Sequence, residues 1–421
     1  MLAYSQLDYS RKINFDIEAL RGFAAIFVVW HHISVFGYFL DPTYPCDYPL
    51  SYGPSGHFCV LIFFILSGYV IGLSNKKPLA WATSGDYIKK RLVRLYPIFI
   101  ITLLFALLVR PKHFNLSAIL GNFALLQVGV VPNVNPPGWS LNFEMLYYLL
   151  FIGISAFQLK PLWVIIVSLA VGIGNYALYG MLQTPIISAY CYGLIFWVLG
   201  LLASQRLAHA EADKAPDQIL LGCLFFILCS EQYNLLSTLM RRFVHMSFPS
   251  SIGWEQQSVE VYDLAAIPLA LIIVLVFIGK YIPYRMLLLK GLLLLLALPK
   301  LAYVVLHAWR GNLDWWSYGL PTVFLLAAFF CLFVRSSRLE RLGQAVIQIG
   351  IELGSLSYAI YLIHFPLIFL FSHIHVFSGT WFTFTVRIVL LLVLTLVLSY
   401  WLEKVLQPRI KTYFFPKLTR A

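Results

Sequence analysis

Residues 16–34 read DIEALRGFAAIFVVWHHIS. An arginine stands near the start of this apolar run and a histidine pair near its end. Arg21 and His32 are eleven residues apart, about 1100° of α-helical rotation and so within roughly 20° of three full turns. Both side chains therefore leave one stripe of one helix, about 16 Å apart along its axis, while His31 points about 100° away from that stripe. A run this long and apolar predicts a membrane-spanning helix. Ionisable groups are expensive in lipid, so the stripe is expected to face a bundle interior or a wet cavity. Two readings stay open on this stretch alone. Either Arg21 and His32 do chemistry, or the arginine snorkels to the interface and the histidine bonds a neighbouring helix.

The whole chain shares this character. Of 421 residues, 60% are hydrophobic and 11% charged, with a mean hydropathy of +0.81. Soluble domains carry about 25% charged residues, so this is an integral membrane protein. Its apolar segments run to about twenty residues, the length of spanning helices rather than of barrel strands. No cleavable leader is expected, because the first run has no small-residue cleavage site. The net charge of +12 does not imply nucleic acid, since no soluble basic domain is present to bind it. Lysine and arginine fall in short loops and the C-terminal tail, where they set orientation in the membrane. The six cysteines form no metal or redox pattern, and no metal site is expected. Cys191, Cys223, Cys229 and Cys331 lie in apolar runs and are expected to pack as small hydrophobes. A disulfide between Cys46 and Cys59 is the less favoured alternative to two free thiols.

Twelve apolar segments are candidate spans: 17–38, 57–75, 87–109, 139–158, 162–180, 186–204, 218–239, 262–280, 285–308, 318–335, 352–373 and 381–403. Glu231-Gln232 and Pro299-Lys300 weaken the seventh and ninth, so the expected fold is an all-α polytopic bundle of about 10–12 spans. The run 116–131 is too short to span and reads as re-entrant or interfacial. After the second span come Lys76, Lys77, Lys89, Lys90, Arg91 and Arg94 against one acid, Asp86. Arg335, Arg338 and Arg341 follow the tenth span, and the tail 405–421 is basic. The connection at 39–56 holds Asp41 and Asp47 and no basic residue. Both termini are therefore expected in the cytoplasm, with Arg241 and Arg242 the discordant charges.

Polar residues inside apolar runs mark the chemistry. In FFILSGYVIG, 63–72, Ser67-Gly68 suits close helix packing better than catalysis. In YIKKRLVRLYP, 87–97, Arg91 and Arg94 are one turn apart. They are either a guanidinium array suited to phosphate or charges that set topology. In NPPGWSLNFEMLYYLL, 135–150, the prolines break the chain, Trp139 fits an interfacial anchor, and Glu144 lies inside the span. His32 and Glu144 come out at equal depth, about 6–7 Å to the outer side of their helix midpoints, so a pair between them is expected. In LGSLSYAIYLIHFPLIFL, 353–370, His364 is a second polar candidate near mid-membrane, or a histidine that bonds another helix.

Five blocks in this order resemble the acyltransferase-3 family of bacterial integral-membrane O-acyltransferases: IEALRGFAAIFVVWHH, FFILSGYVIG, KKRLVRLYP, GWSLNFEMLYY and LGSLSYAIYLIHFP. The resemblance runs from Phe15 to about Glu403 and implies a transmembrane acyltransferase domain over 1–404 in the bacterial cytoplasmic (inner) membrane. It implies transfer of an acyl group, most often acetyl from acetyl-CoA, to a sugar hydroxyl on O-antigen, exopolysaccharide or a related glycolipid. Acyl-CoA is then a donor substrate, and no permanently bound cofactor is expected. The family's essential arginine and histidine correspond to Arg21 and His32, its paired arginines to Arg91 and Arg94, and its membrane glutamate to Glu144. Ser67, Tyr147 and His364 are added as pocket or acceptor candidates. The acid–x–Pro common at the end of the family's last helix reads Glu403-Lys404-Val405 here, which weakens a role for Glu403.

On this reading the arginines receive the phosphates of CoA and His32 takes the proton of the attacking hydroxyl, with Glu144 orienting the ring. A variant has the acyl group rest on the histidine itself. The rival class is a proton-coupled transporter or flippase for a glycolipid or anionic solute, which basic residues and a membrane His–Glu pair would also suit.

Overall fold

A computed structural model describes residues 15–44, 51–110, 114–128, 131–178, 186–247 and 258–415. Among these the chain is helical, with an isolated bridge between Ala212 and Lys280 in place of any strand. The main helices are α1 (Phe15–Val35), α2 (Gly56–Ser74), α3 (Trp81–Val109), α4 (Trp139–Ala156), α5 (Pro161–Ala177), α6 (Ile186–Arg206) and α7 (Asp217–Tyr233). After them come α8 (Ile267–Ile278), α9 (Arg285–Trp309), α10 (Trp315–Phe333), α11 (Ser337–Gly354), α12 (Ser357–Ser372) and α13 (Trp381–Tyr400). Local chemistry sets their starts. Ser55 caps α2 by accepting from Phe58 N at 3.3 Å. Asp314 caps α10 through Trp316 N and Ser317 N, and Thr380 caps α13 through Thr383 N. Each such bond satisfies an end group that lipid cannot.

Among the described residues, eight helices are long and apolar enough to cross a membrane: α2, α3, α6, α7 continued to Val244, α8 with its lead-in from Val261, α9, α10, and α13 continued to Phe414. The pair α11–α12, bent by 76°, makes nine if it counts as one span. The polytopic helical architecture is as expected, but the count by length and composition is below the expected 10–12. α1 is not among the eight, its apolar run being interrupted by Glu18, Arg21, His31 and His32. α5 is a shorter apolar helix. The run after residue 116 forms the short helix Leu116–Phe123 and does not span. Pro299 sits inside a continuous α9, whereas α7 breaks at Asn234, just after Glu231-Gln232.

α1 packs against α2, α8, α11 and α12 and is buried along most of its length. Backbone approach is closest where side chains are smallest. Gly68 on α2 lies against the carbonyl of Trp197 on α6, and Gly200 against the carbonyl of Ile65. Gly68-x3-Gly72 on α2 faces Gly200-x3-Ser204 on α6, the small-residue spacing that membrane helices use to pack. Outward faces of α9, α10 and α13 carry exposed Leu295, Val305, Val323, Val389 and Val393, as lipid-facing helices should. The interior arginine on α13, Arg387, is structural. It donates to the carbonyls of Leu40, Phe371, Ile374, Val376 and Phe377, with Asp41 4.0 Å away.

Lys214, in the loop before α7, bridges Asp16 at 3.4 Å and Asp217 at 3.2 Å. Burial pulls its ammonium down, but the two carboxylates outweigh that and leave its pKa above the usual lysine value. Cys59, Cys223, Cys229 and Cys331 are buried free thiols and Cys191 is half-buried. Cys46 lies outside the described residues.

Candidate active site

Arg21 from α1, Ser67 from α2, Arg91 and Arg94 from α3, Glu144 and Tyr148 from α4, and Tyr358 and Tyr361 from α12 line one cleft of about 850 Å³. It lies at the end of the bundle where α2 stops and α3 begins, beside the lysine-rich connection. The three arginines predicted from sequence therefore converge. Arg21 pairs with Glu18 at 3.1 Å, one turn back on its own helix. Arg91 and Arg94 make no ion pair within 4.0 Å among the described residues. The guanidinium of Arg91 lies over the rings of Tyr87 and Tyr148 at 5.5 and 5.7 Å, and its buried Nε has no hydrogen-bond partner among the described residues. A buried donor without a partner in a cleft of cations is what an anionic ligand would satisfy.

Glu144 also belongs to this cleft, though not as expected. Its Oε1 accepts from Ser67 Oγ at 2.8 Å and from the Tyr148 hydroxyl. Ser67 Oγ in turn receives Trp197 Nε1 at 3.3 Å. The carboxylate thus fixes the cleft wall between α2 and α4 and does not reach His32. The expected His32–Glu144 pair is not formed. Ser67 faces the cleft while its neighbour Gly68 supplies the helix contact, so the dipeptide divides the two roles weighed for it. Tyr147 points elsewhere, donating to Tyr190 O at 3.1 Å in the α4–α6 contact.

His32 meets His364 instead. Nδ1 of His32 is 2.7 Å from Nε2 of His364, and the rings stack at 5.0 Å and 14°. Nδ1 of His364 is 3.0 Å from Ile360 O. A carbonyl only accepts, so with both rings neutral His364 carries its proton on Nδ1 and accepts at Nε2. His32 then donates from Nδ1, which leaves its Nε2 bare. This is the tautomer a general base or nucleophile needs, fixed by a partner 332 residues along the chain. Phe36 and Phe365 wall the pair at ring distances of 5.7 and 5.0 Å from His32. His31 turns away as its position on the helix predicts and bonds Pro54 O at 2.9 Å.

The cleft and the histidine pair adjoin without merging. Neither histidine lines the cleft. Between them stands Tyr361, whose ring is 6.4 Å from that of His364 and 5.8 Å from that of Phe63. Its hydroxyl is bonded to Ser140 Oγ at 2.8 Å.

Three features escaped the sequence. The partner of His32 depends on the bend between α11 and α12, which sets where α12 enters the bundle. Glu403, in a π-helical turn over Trp401–Leu406 that continues α13, lies within electrostatic reach of Arg94 and Arg21. Gln407 then donates to the carbonyls of Val93 and Arg94. Trp139 is buried, not an interfacial anchor, and stacks on His57 at 5.8 Å. A tryptophan beside an interface-like proline pair gives no sign of this.

A membrane helix bundle with an arginine cleft beside a tautomer-fixed histidine is the frame these observations define. The family model of the acyltransferase domain matches residues 14–404, and the chain belongs to this family. It is 33% identical over 89 residues to "Protein 2 in picA locus" of Rhizobium radiobacter, covering 21% of this chain and 40% of that protein. It is 26% identical over 161 residues to "Acyltransferase MdmB" of Streptomyces mycarofaciens, covering 35% of this chain and 38% of that protein. The chain thus matches about two fifths of the length of each relative. No solved structure gives a significant match.

Proposed function

We propose that this membrane acyltransferase moves an acetyl group from acetyl-CoA to a hydroxyl of a cell-surface glycan or lipid-linked sugar, as an O-acetyltransferase of the bacterial inner membrane. The observation that carries the reading is that Arg91 and Arg94, with no ion pair within 4.0 Å among the described residues, join Arg21 in one cleft adjoining His32 and His364. CoA bears several phosphates, and guanidiniums bind them as planar donor arrays. The basic end would face the cytoplasm, where CoA is found. The start of α1 and the helix Gln407–Phe414 that follows α13 both lie at that end, in keeping with both termini, and the basic tail 405–421, being cytoplasmic.

In this mechanism the pantetheine arm passes Tyr361 and presents its thioester to His32. Nε2 of His32 takes the proton as the acceptor hydroxyl oxygen attacks the carbonyl carbon. The carbon–sulfur bond breaks, the ester forms, and the proton passes to the departing CoA thiolate. His364 holds the ring and its tautomer. Glu144 keeps Ser67 and Tyr148 in place along the donor cleft.

Comparing surface glycans of the parent and a deletion strain by NMR tests the reading. The deletion should lose an O-acetyl signal that the cloned gene restores, and identical spectra would contradict it. Orientation has its own check. A cysteine at Thr43 should react with an impermeant thiol reagent from outside and one at Lys77 should not, the reverse pattern excluding a cytoplasmic donor cleft.

A further inference from the structure

A second cleft, of about 670 Å³, lies at the opposite end of the bundle from the arginines. Polar side chains from four segments meet in it: His57 at the start of α2, Glu231 and Asn234 at the end of α7, Arg241 on the helix Leu235–Ser247 that follows, and Asp263 before α8. His57 Nε2 is 2.8 Å from Asp263 Oδ2, which also accepts from Glu260 N at 2.8 Å. Since a carboxylate accepts, His57 Nε2 carries a proton, and Nδ1 has no protein partner among the described residues. The ring lies flat on Trp139, which fixes its plane. Glu231 is exposed and forms no ion pair among the described residues. Arg241 is held over the Tyr262 ring at 4.4 Å.

This cleft backs directly onto the candidate base. Gly56, adjoining His57, packs so closely on His31 that a β-carbon there would come within 2.9 Å of its ring. The His31 ring is 5.5 Å from that of His32. One imidazole therefore separates the second cleft from His32, as one tyrosine separates the arginine cleft from His364.

We propose that the second cleft is the acceptor subsite and takes a hydroxyl-rich, saccharide-class molecule, with Nδ1 of the Asp263-fixed His57 and the carboxylate of Glu231 hydrogen-bonding its hydroxyl groups. An imidazole, a carboxylate and a neutral amide together offer donors and acceptors, which suits a ligand rich in hydroxyl groups that both donate and accept. Glu231 and Asp263 are set against Arg241 and His57 in this lining, so it lacks the concentrated positive charge of the arginine cleft and the two select different chemistry. The proposal rests on the acyl-transfer reading above. It adds that donor and acceptor approach His32 from opposite ends of the bundle.

The test uses Asp263→Asn and Glu231→Gln in the full-length protein, with two readouts: acetyl-CoA binding in nanodiscs and O-acetyl content of the producing cell's surface glycans. Donor binding should stay within about twofold of the parent for both variants. Glycan acetylation should fall at least tenfold for Asp263→Asn and severalfold for the exposed, isosteric Glu231→Gln. Parent-level acetylation in both variants overturns the proposal. So does an equal loss of donor binding and acetylation, since the residues would then be supporting the fold. A parent protein that binds no acetyl-CoA and adds no O-acetyl group would instead defeat the acyl-transfer reading on which the proposal rests.

Discussion

The arginine cleft and the histidine pair sit side by side and are built on opposite principles. In the cleft, Arg91 and Arg94 make no ion pair within 4.0 Å among the described residues and stay within reach of water, Arg94 being exposed. At the histidine pair nothing is left over except one nitrogen. His364 is fully buried, both of its ring nitrogens are committed, and His32 is held through its Nδ1. A binding site gains from donors that only the ligand satisfies, whereas a reacting group gains from having a single orientation. On the proposed mechanism affinity belongs to one region and turnover to the other, and substitutions should separate the two.

The largest effect is expected at His32. His32→Ala should lower glycan acetylation by about 10²–10⁴-fold, the usual range for losing a general base. His31→Ala should lose far less, because its bond to Pro54 O faces away from the pair. Strain-by-strain NMR of O-acetyl groups reads both, and a reversed order would mean that the wrong histidine has been assigned. His364→Phe keeps a ring but removes the acceptor. Activity should drop roughly 10–10²-fold, as when the partner orienting a working histidine is lost. His364→Gln, which can still accept from His32 Nδ1, should recover part of it; equal losses for Phe and Gln would indicate packing alone. Smaller again is the change at the cleft. Arg91→Ala or Arg94→Ala should weaken CoA binding by about 1.5–3 kcal/mol, the value of a charge-assisted bond. Binding of CoA lacking its ribose phosphate should weaken less. Equal weakening of both ligands would mean that these arginines do not read that phosphate. Gly68→Ala tests the frame alone. Its new methyl would meet the Trp197 carbonyl across the α2–α6 contact, and overpacking typically costs about 1–3 kcal/mol. Thermal stability in detergent should fall, and an unchanged melting temperature would show that α2 and α6 can part without loss.

What the chain discloses on its own follows the same division. Arg21, Arg91 and Arg94 could be picked out because charge in an apolar run is conspicuous and Arg91 and Arg94 are one turn apart. The stripe on α1 was legible for the same reason: helical rotation alone turns His31 away from His32. The partner of His32 was not legible. Equal depth on straight helices points to Glu144, but depth says nothing of rotation, and α4 turns Glu144 towards Ser67 and Tyr148. His364 reaches His32 only because the chain bends by 76° between α11 and α12, and no residue pattern before Ser357 gives that angle. Likewise Glu403 returns to the arginines through a π-helical turn that hydropathy does not register.

Donor binding measured alongside the two kinds of substitution tests the account most directly. Acetyl-CoA would be titrated calorimetrically into the purified parent protein, an Arg91→Ala/Arg94→Ala double variant and His32→Ala, all in nanodiscs. The parent should bind, His32→Ala should keep near-parental affinity despite its lost acetylation, and the double variant should lose binding. Unchanged binding in the double variant, or binding abolished by His32→Ala alone, would contradict it.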